Sequence, residues 1–271
     1  MHNTKITVRE MLPKQGIPSL WHYRYLLFTF AVRDIKSNYA ETRLGLLWSL
    51  LQPLIGLAIF TFFFDKLLNI NTGDIPYPLF ALSGMCVWYY FVYIVNNAGS
   101  SIIQMQQIIK KMNFPRILCP VSKALSGMLD FIITLILLLV AMSIYGIYPS
   151  ATLLLLPFLV LLLIGTGLSL GIWLSALTVR HRDLLHAVPY LVSFAIWVTP
   201  VFYPVTLLPE AYCRLMYFNP MAAVVEGLRW CVFGGTSPPW DYAFSFIPVA
   251  VLFTTGIMYF NRIEGRMAEY L

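Results

Sequence analysis

The chain has 271 residues, 59% of them hydrophobic and only 11% charged, with a formal net charge of +6. Soluble domains carry about 25% charged residues, so a water-soluble globule of this composition would lack the polar surface to stay dissolved. A bilayer removes that conflict, and four scattered cysteines without a C-x-x-C spacing supply no metal motif.

The first 45 residues carry Lys5, Arg9, Lys14, Arg24, Arg33, Lys36 and Arg43 and have no early apolar run. They therefore do not read as a cleavable signal peptide, and the first span is expected to act as its own targeting signal. Residues 22–40 fit an amphipathic interface helix. Phe28, Val32, Ile35 and Tyr39 form an apolar stripe, while Arg33, Lys36, Ala40 and Arg43 form another face.

Apolar runs of roughly 20 residues cross a bilayer. Six occur, at about 46–69, 78–98, 127–148, 151–178, 187–205 and 242–261. The expected fold is an all-α membrane protein: a segment 1–45, a six-span domain 46–261 and a tail 262–271. With both termini in the cytoplasm, fifteen of the eighteen Lys and Arg residues lie inside, leaving only Lys66, Arg214 and Arg229 elsewhere. The positive charge then reflects topology, not a nucleic-acid surface.

Between these spans, 101–120 and 178–189 are expected to form helical elbows on the cytoplasmic side, with Pro115 and Pro120 preventing a continuous helix. The run GTGLSLG contains Gly167-x-x-x-Gly171, a signal for close helix packing. The external stretch 206–241 holds MAAVVEGLRW, too short and charged to span, which suits a re-entrant or interfacial helix. Within it, Glu226 and Arg229 are one turn apart and are expected to pair. Cys213 and Cys231 share this side and could form a disulfide if it is oxidising.

Motifs for chemistry are scarce. There is no G-x-x-x-x-G-K-[ST] phosphate loop, and His181-Arg182-Asp183 has none of the accompanying kinase elements. His181 and His186 are splayed around a helix, and Asp183 with His186 reads as a surface hydrogen bond. Asp130 is an acid inside a span, near its end, where either structure or transport accounts for it. The aromatic residues, 15% of the chain, leave two readings open. They form an interfacial belt, or they line a path on which sugar rings stack and slide.

Four stretches then carry a resemblance: RDIKSNYAETRLGLLWSLLQP (33–53), FPRILCPVSKALSGMLDF (114–131), RHRDLLHAVPYLVSFAIWVTPVFYP (180–204) and NPMAAVVEGLR (219–229). In this order the chain resembles the permease subunits of ABC-2 type polysaccharide exporters, which move O-antigen or teichoic-acid chains. The resemblance implies a homodimer in the bacterial cytoplasmic (inner) membrane. It implies two separate ATP-binding subunits that hold ATP and Mg, and no cofactor or catalytic residue in this chain.

It also implies roles. Arg33, Lys36 and Arg43 would meet the lipid diphosphate of the glycan. Phe60, Phe63, Phe64, Tyr89, Tyr90, Tyr93, Trp197 and Tyr203 would line the path. Gln104, Lys110, Lys111, Asn113, Phe114 and Arg116, with Arg180, Arg182 and Asp183, would couple to the ATPase. Asn219, Pro220, Glu226 and Arg229 would belong to an external gate of paired re-entrant helices. Competing readings are an ABC-2 exporter of a small drug or lipid and a membrane-embedded glycosyl- or acyltransferase. Cysteine-accessibility labelling is expected to find residues 5–40 and 262–271 cytoplasmic and 206–241 external; an external C-terminus would overturn the six-span topology.

Overall fold

The computed structural model describes residues 21–40, 45–265 and 267. Arg43 and the basic residues before Trp21 lie outside them. The described residues form helices and connecting turns, without a strand. Helix α1 (Arg24–Ala40) precedes α2 (Leu47–Phe60), which continues through a π-helical stretch at Thr61–Leu67. Then come α3 (Tyr77–Gln104), one-turn α4 (Gln106–Ile109), α5 (Leu118–Ile144) and α6 (Leu156–Thr178). They are followed by α7 (Leu184–Val198), α8 (Glu210–Met216), α9 (Pro220–Phe233) and α10 (Phe246–Glu264). Short 3-10 turns at Ala151–Leu155 and Trp240–Ser245 lead into α6 and α10.

Among the described residues, five helical stretches are long and apolar enough to cross a membrane: Leu47–Leu67, Tyr77–Gln104, Leu118–Ile144, Ala151–Thr178 and Trp240–Glu264. The fifth predicted span, 187–205, is present as a shorter apolar helix with other bounds. Its helix α7 has 15 residues, about 22 Å at 1.5 Å per residue, and the chain goes on without helical geometry to Phe202, at the end of the bundle that holds Tyr77. Apolar composition runs through this segment, but Pro200 forces Thr199 out of the helix to φ −98°, ψ 137°. The predicted loop 101–120 is also shorter than expected, because α3 runs on to Gln104 and α5 starts at Leu118. Pro120 does not stop a helix. It sits in the first turn of α5, where its missing N–H has no intrahelical partner to lose.

Helix α3 is the axis of the bundle. Most of its length is buried, and α5, α6, α9, α7 and α2 all pack against it. Small residues permit the closest approach. A methyl added at Gly171 would fall 2.7 Å from the Ala98 Cβ, and one at Gly167 would fall 2.8 Å from an Ile94 methyl. The Gly167-x-x-x-Gly171 step of α6 thus seats on the Ile94 and Ala98 step of α3. On the other flank, Gly127 of α5 admits the Tyr93 ring.

The outer helices leave large apolar side chains uncovered, among them Ile136, Val140, Phe158 and Leu161. Lipid satisfies such surface, which water would not. Helix α1 lies across α5 and buries Phe30, Ala31 and Asp34. Phe28 and Val32 of the predicted stripe remain exposed, in line with Trp21 and Tyr25. The helix therefore has one face on the bundle and a separate apolar face beyond it.

Overpacking a tight interface costs about 1–3 kcal/mol. Gly171→Val is expected to lower the thermal unfolding midpoint of the detergent-solubilised chain, whereas Gly165→Ala, with nothing within 4 Å of its added methyl, leaves it unchanged. Equal effects would contradict the α3–α6 packing.

Candidate functional site

At the end of α3 that carries Tyr77, a buried cation holds several elements together. Arg229 of α9 is 5% exposed. Its Nη1 donates to Glu226 Oε1 at 2.7 Å and to the Pro200 carbonyl at 2.9 Å, and its Nη2 donates to the Val201 carbonyl at 2.8 Å. The guanidinium also stacks over the Phe80 ring at 3.5 Å. The expected Glu226–Arg229 pair is present. Beyond pairing, Arg229 supplies donors to the backbone that leaves helical geometry after α7. Helix α9 is placed by Asn219, its N-cap, whose Oδ1 accepts from Met221 N at 3.0 Å, with Pro220 opening the helix. Asn219 Nδ2 donates to Thr199 Oγ1 at 3.1 Å, which ties the α9 cap to the break. The suggested Cys213–Cys231 disulfide is absent: both are free thiols, and Cys213 Sγ donates to the Leu208 carbonyl at 3.3 Å.

The same break presents a packed group of rings. Phe60 stacks on Phe202 at 3.5 Å between centroids, and Trp197 and Phe64 close on the same two rings. Tyr77 stacks parallel to Phe64 and donates its hydroxyl to the Phe202 carbonyl at 3.0 Å. Three of the predicted path residues, Phe60, Phe64 and Trp197, thus meet. Phe63 points elsewhere, 48% exposed against Phe62. Tyr203 reaches back to the Trp197 carbonyl at 3.1 Å. Phe202, buried at the centre, is an addition. Its signal was the TPVFYP run, whose two prolines turn the chain inward.

The tyrosines of α3 divide. Tyr90 is buried and donates to the Ala124 carbonyl at 2.8 Å, so it pins α3 to α5 rather than facing open space freely. Tyr93 bonds Ser126 at 3.0 Å. Tyr89, Tyr90 and Tyr93 border a cavity of about 310 Å³ that also reaches Ser49, Asn96, Asn97 and Asp130. Asp130 Oδ1 accepts from both Tyr39 and Ser49, joining α5, α1 and α2. Burial, reinforced by the Asp130 carboxylate, raises the Tyr39 phenol, so it stays a donor.

At the opposite end, Arg33 donates to Asp34 Oδ1 at 2.7 Å, and Asp34 Oδ2 meets Lys123 at 2.8 Å, with Asp34 and Lys123 both buried. Of the predicted head-group residues, Lys36 is exposed, Arg33 is partly committed to Asp34, and Arg43 lies outside the described residues. Of the predicted coupling residues, Gln104, Lys110, Lys111, Asn113, Arg180, Arg182 and Asp183 are exposed. Phe114 is not. It is buried against Phe30 at 5.3 Å. Arg116 is anchored to α10, its backbone N–H donating to Glu264 Oε1 at 2.7 Å and its guanidinium to the Glu264 carbonyl. Burial lowers the Arg116 guanidinium from its ordinary value, with Glu264 opposing.

A family model described as "ABC-2 type transporter" matches residues 25–233. The chain is 28% identical over 247 residues to the "O-antigen export system permease protein RfbA" of Klebsiella pneumoniae, covering 91% of this chain and 95% of that protein. It is 28% identical over 215 residues to a protein of the same description from Myxococcus xanthus, covering 79% and 82%. It is 25% identical over 207 residues to the "Polysialic acid transport protein KpsM" of Escherichia coli, covering 75% and 80%.

Removing one partner of a buried ion pair costs about 3–5 kcal/mol. Arg229→Met is expected to lower the unfolding midpoint strongly, because it strands carbonyls at the break as well as Glu226. Glu226→Gln should cost clearly less, since Arg229 keeps its carbonyl acceptors. Equal losses, read by thermal unfolding, would mean that the carbonyl contacts contribute nothing.

Proposed function

The chain belongs to the ABC-2 type transporter family, and on that premise we propose that it is the permease subunit of an ATP-driven exporter of a lipid-linked polysaccharide. The observation that carries this reading is the similarity, over 91% of this chain and 95% of the relative, to an O-antigen export permease. A second, lower similarity to a polysialic acid transport protein supports a polysaccharide over a small drug or lipid. The five long apolar helices make the chain a multi-pass membrane protein. In the proposed topology, the end bearing Lys110, Arg180 and Glu264 is cytoplasmic, as the Lys and Arg distribution favours.

ATP hydrolysis falls to separate subunits that bind ATP and Mg, because the sequence has no phosphate loop of its own. Their contact surface on this chain is the exposed Lys110–Asn113 turn beside α4, with Arg180 and Arg182 as supporting contacts. Buried Phe114 and anchored Arg116 transmit motion from that turn to α1 and α10. Two copies enclose the path, with α2 and α7 facing each other. The aromatic group around Phe202 and the Arg229 contacts close its external end, and Arg33, Lys36 and Arg43 meet the diphosphate of the carrier lipid.

Lys110→Cys, with a bifunctional cross-linker, is expected to capture an ATP-binding protein. Deleting this chain should leave glycan inside the cell and remove it from the surface. Arg43→Glu should impair export while assembly persists. Normal surface glycan in the deletion strain would overturn the polysaccharide reading, and capture of no ATP-binding protein would overturn the coupling surface.

A further inference from the structure

A cleft of about 310 Å³ lies between α3, α6, α7, α9 and α10 and shares no residue with the ring group around Phe202. Its deepest lining is Trp88 and Phe91 of α3, both buried, with ring centroids 5.4 Å apart. Half-buried Leu170, Ala195 and Val249 follow. Val198, Phe218 and Leu252 are exposed at its edge, so the cleft opens outward between α7 and α10.

The hydroxyls and the amide that line it are already engaged. Thr166 donates to the Leu162 carbonyl at 2.8 Å, and Ser169 to the Thr166 carbonyl at 2.7 Å. Thr199 donates to the Ala195 carbonyl at 3.0 Å and accepts from Asn219 Nδ2 at 3.1 Å. Asn219 Oδ1 accepts from the α9 backbone. Water held in a cavity needs two to four polar partners, and an apolar cavity of about 150 Å³ stays dry and admits benzene. This cleft has about twice that volume, and folded interiors keep few voids larger than a water molecule. Hydrocarbon fills it at no desolvation cost, and it is at hand. Leu252 continues along α10 into exposed Ile247, Val251 and Met258, and α6, packed on α10, exposes Phe158 and Leu161. Lipid tails are as apolar as these side chains.

We propose that this cleft holds an acyl chain of a bilayer phospholipid, seated between the end of α7 and the cap of α9. The inference needs only that the chain spans a membrane; it does not depend on which substrate is exported. The Thr199–Asn219 bond borders the cleft, so the acyl chain supports the break in the backbone from the lipid side, as Arg229 does from within. A second copy of the chain is the competing occupant, but the side that opens along α10 lies away from the α2 and α7 pairing proposed above.

The test uses the full complex with its ATP-binding subunits, reconstituted in phosphatidylethanolamine–phosphatidylglycerol vesicles. A fraction of the phosphatidylethanolamine carries a diazirine at the end of one acyl chain. After illumination, adducts are mapped by peptide mass spectrometry. They are expected on Leu170 in the cleft as well as on Phe158 at the open lipid face. Ala195→Phe and Val249→Phe fill the cleft from two different helices. Each is expected to abolish the Leu170 adducts while those on Phe158 persist, so either variant that assembles is informative. Label on Phe158 without any on Leu170 in the unaltered chain would overturn the proposal, as would Leu170 adducts that survive both substitutions. Displacement of the Leu170 label by added polyprenyl phosphate would assign the cleft to the carrier lipid instead. Disulfide trapping of Val198→Cys between two copies, with no Leu170 label, would assign it to the second copy.

Discussion

The guanidinium of Arg229 meets a constraint that the bilayer imposes. Backbone that leaves helical geometry away from water needs donors from elsewhere, because lipid offers none. After Val198 the chain unwinds, and the freed carbonyls of Pro200 and Val201 are met by Nη1 and Nη2 of Arg229. A lone buried cation would be costly, and Glu226 on the previous turn offsets its charge at 2.7 Å. With the break held this way, Phe202 can turn inward, and the ring group and the position of α9 follow from it. Gly84 belongs to the same arrangement: a methyl there would fall 2.6 Å from the Val201 carbonyl oxygen.

The other end is organised by charge as well, but differently. Asp34 lies between Lys123 and Arg33, so one buried acid joins α1 to α5 while leaving a net positive group. Glu264 does the corresponding work between α10 and the turn before α5 through Arg116. Two helices from opposite ends of the sequence are thereby fixed to the start of α5. Exposed Lys110 and Lys111 precede that start, so the turn that carries them adjoins a corner tied to both α1 and α10.

Much of this was legible in the sequence where a local pattern carried it. Apolar runs located the long helices, Gly167 and Gly171 marked the α3–α6 seam, and the three-residue spacing of Glu226 and Arg229 gave their pair. The α7 boundary was misread because hydropathy averages over a window, whereas Pro200 acts on one residue. Asp34 with Lys123, Arg116 with Glu264, and Tyr39 with Asp130 were out of reach for another reason. Each joins residues far apart in the chain, and no periodicity links them. Asp130 read as an isolated acid near a span end; only the fold brings Tyr39 and Ser49 to it. The buried face of α1 was likewise hidden, since Asp34 among Phe30 and Ala31 breaks the apolar stripe that a moment-based reading seeks.

Helix α2 shows how these contacts divide the work. Along it only Ser49 and Pro53 are buried, so it touches the bundle in a narrow stripe. Its apolar side chains gain nothing decisive from moving between protein and lipid, since hydrocarbon tails are as apolar as they are. Its position therefore depends on specific contacts, two of them near its ends: Ser49 on Asp130 at one, Phe60 on Phe202 at the other. The first is shared with Tyr39 of α1, and the second with the break held by Arg229. Between these ends Gly56 seats the helix on α3, where an added methyl would fall 2.7 Å from the Met85 side chain and 2.8 Å from the Tyr89 hydroxyl, so α2 physically links the basic end of the molecule to the far one.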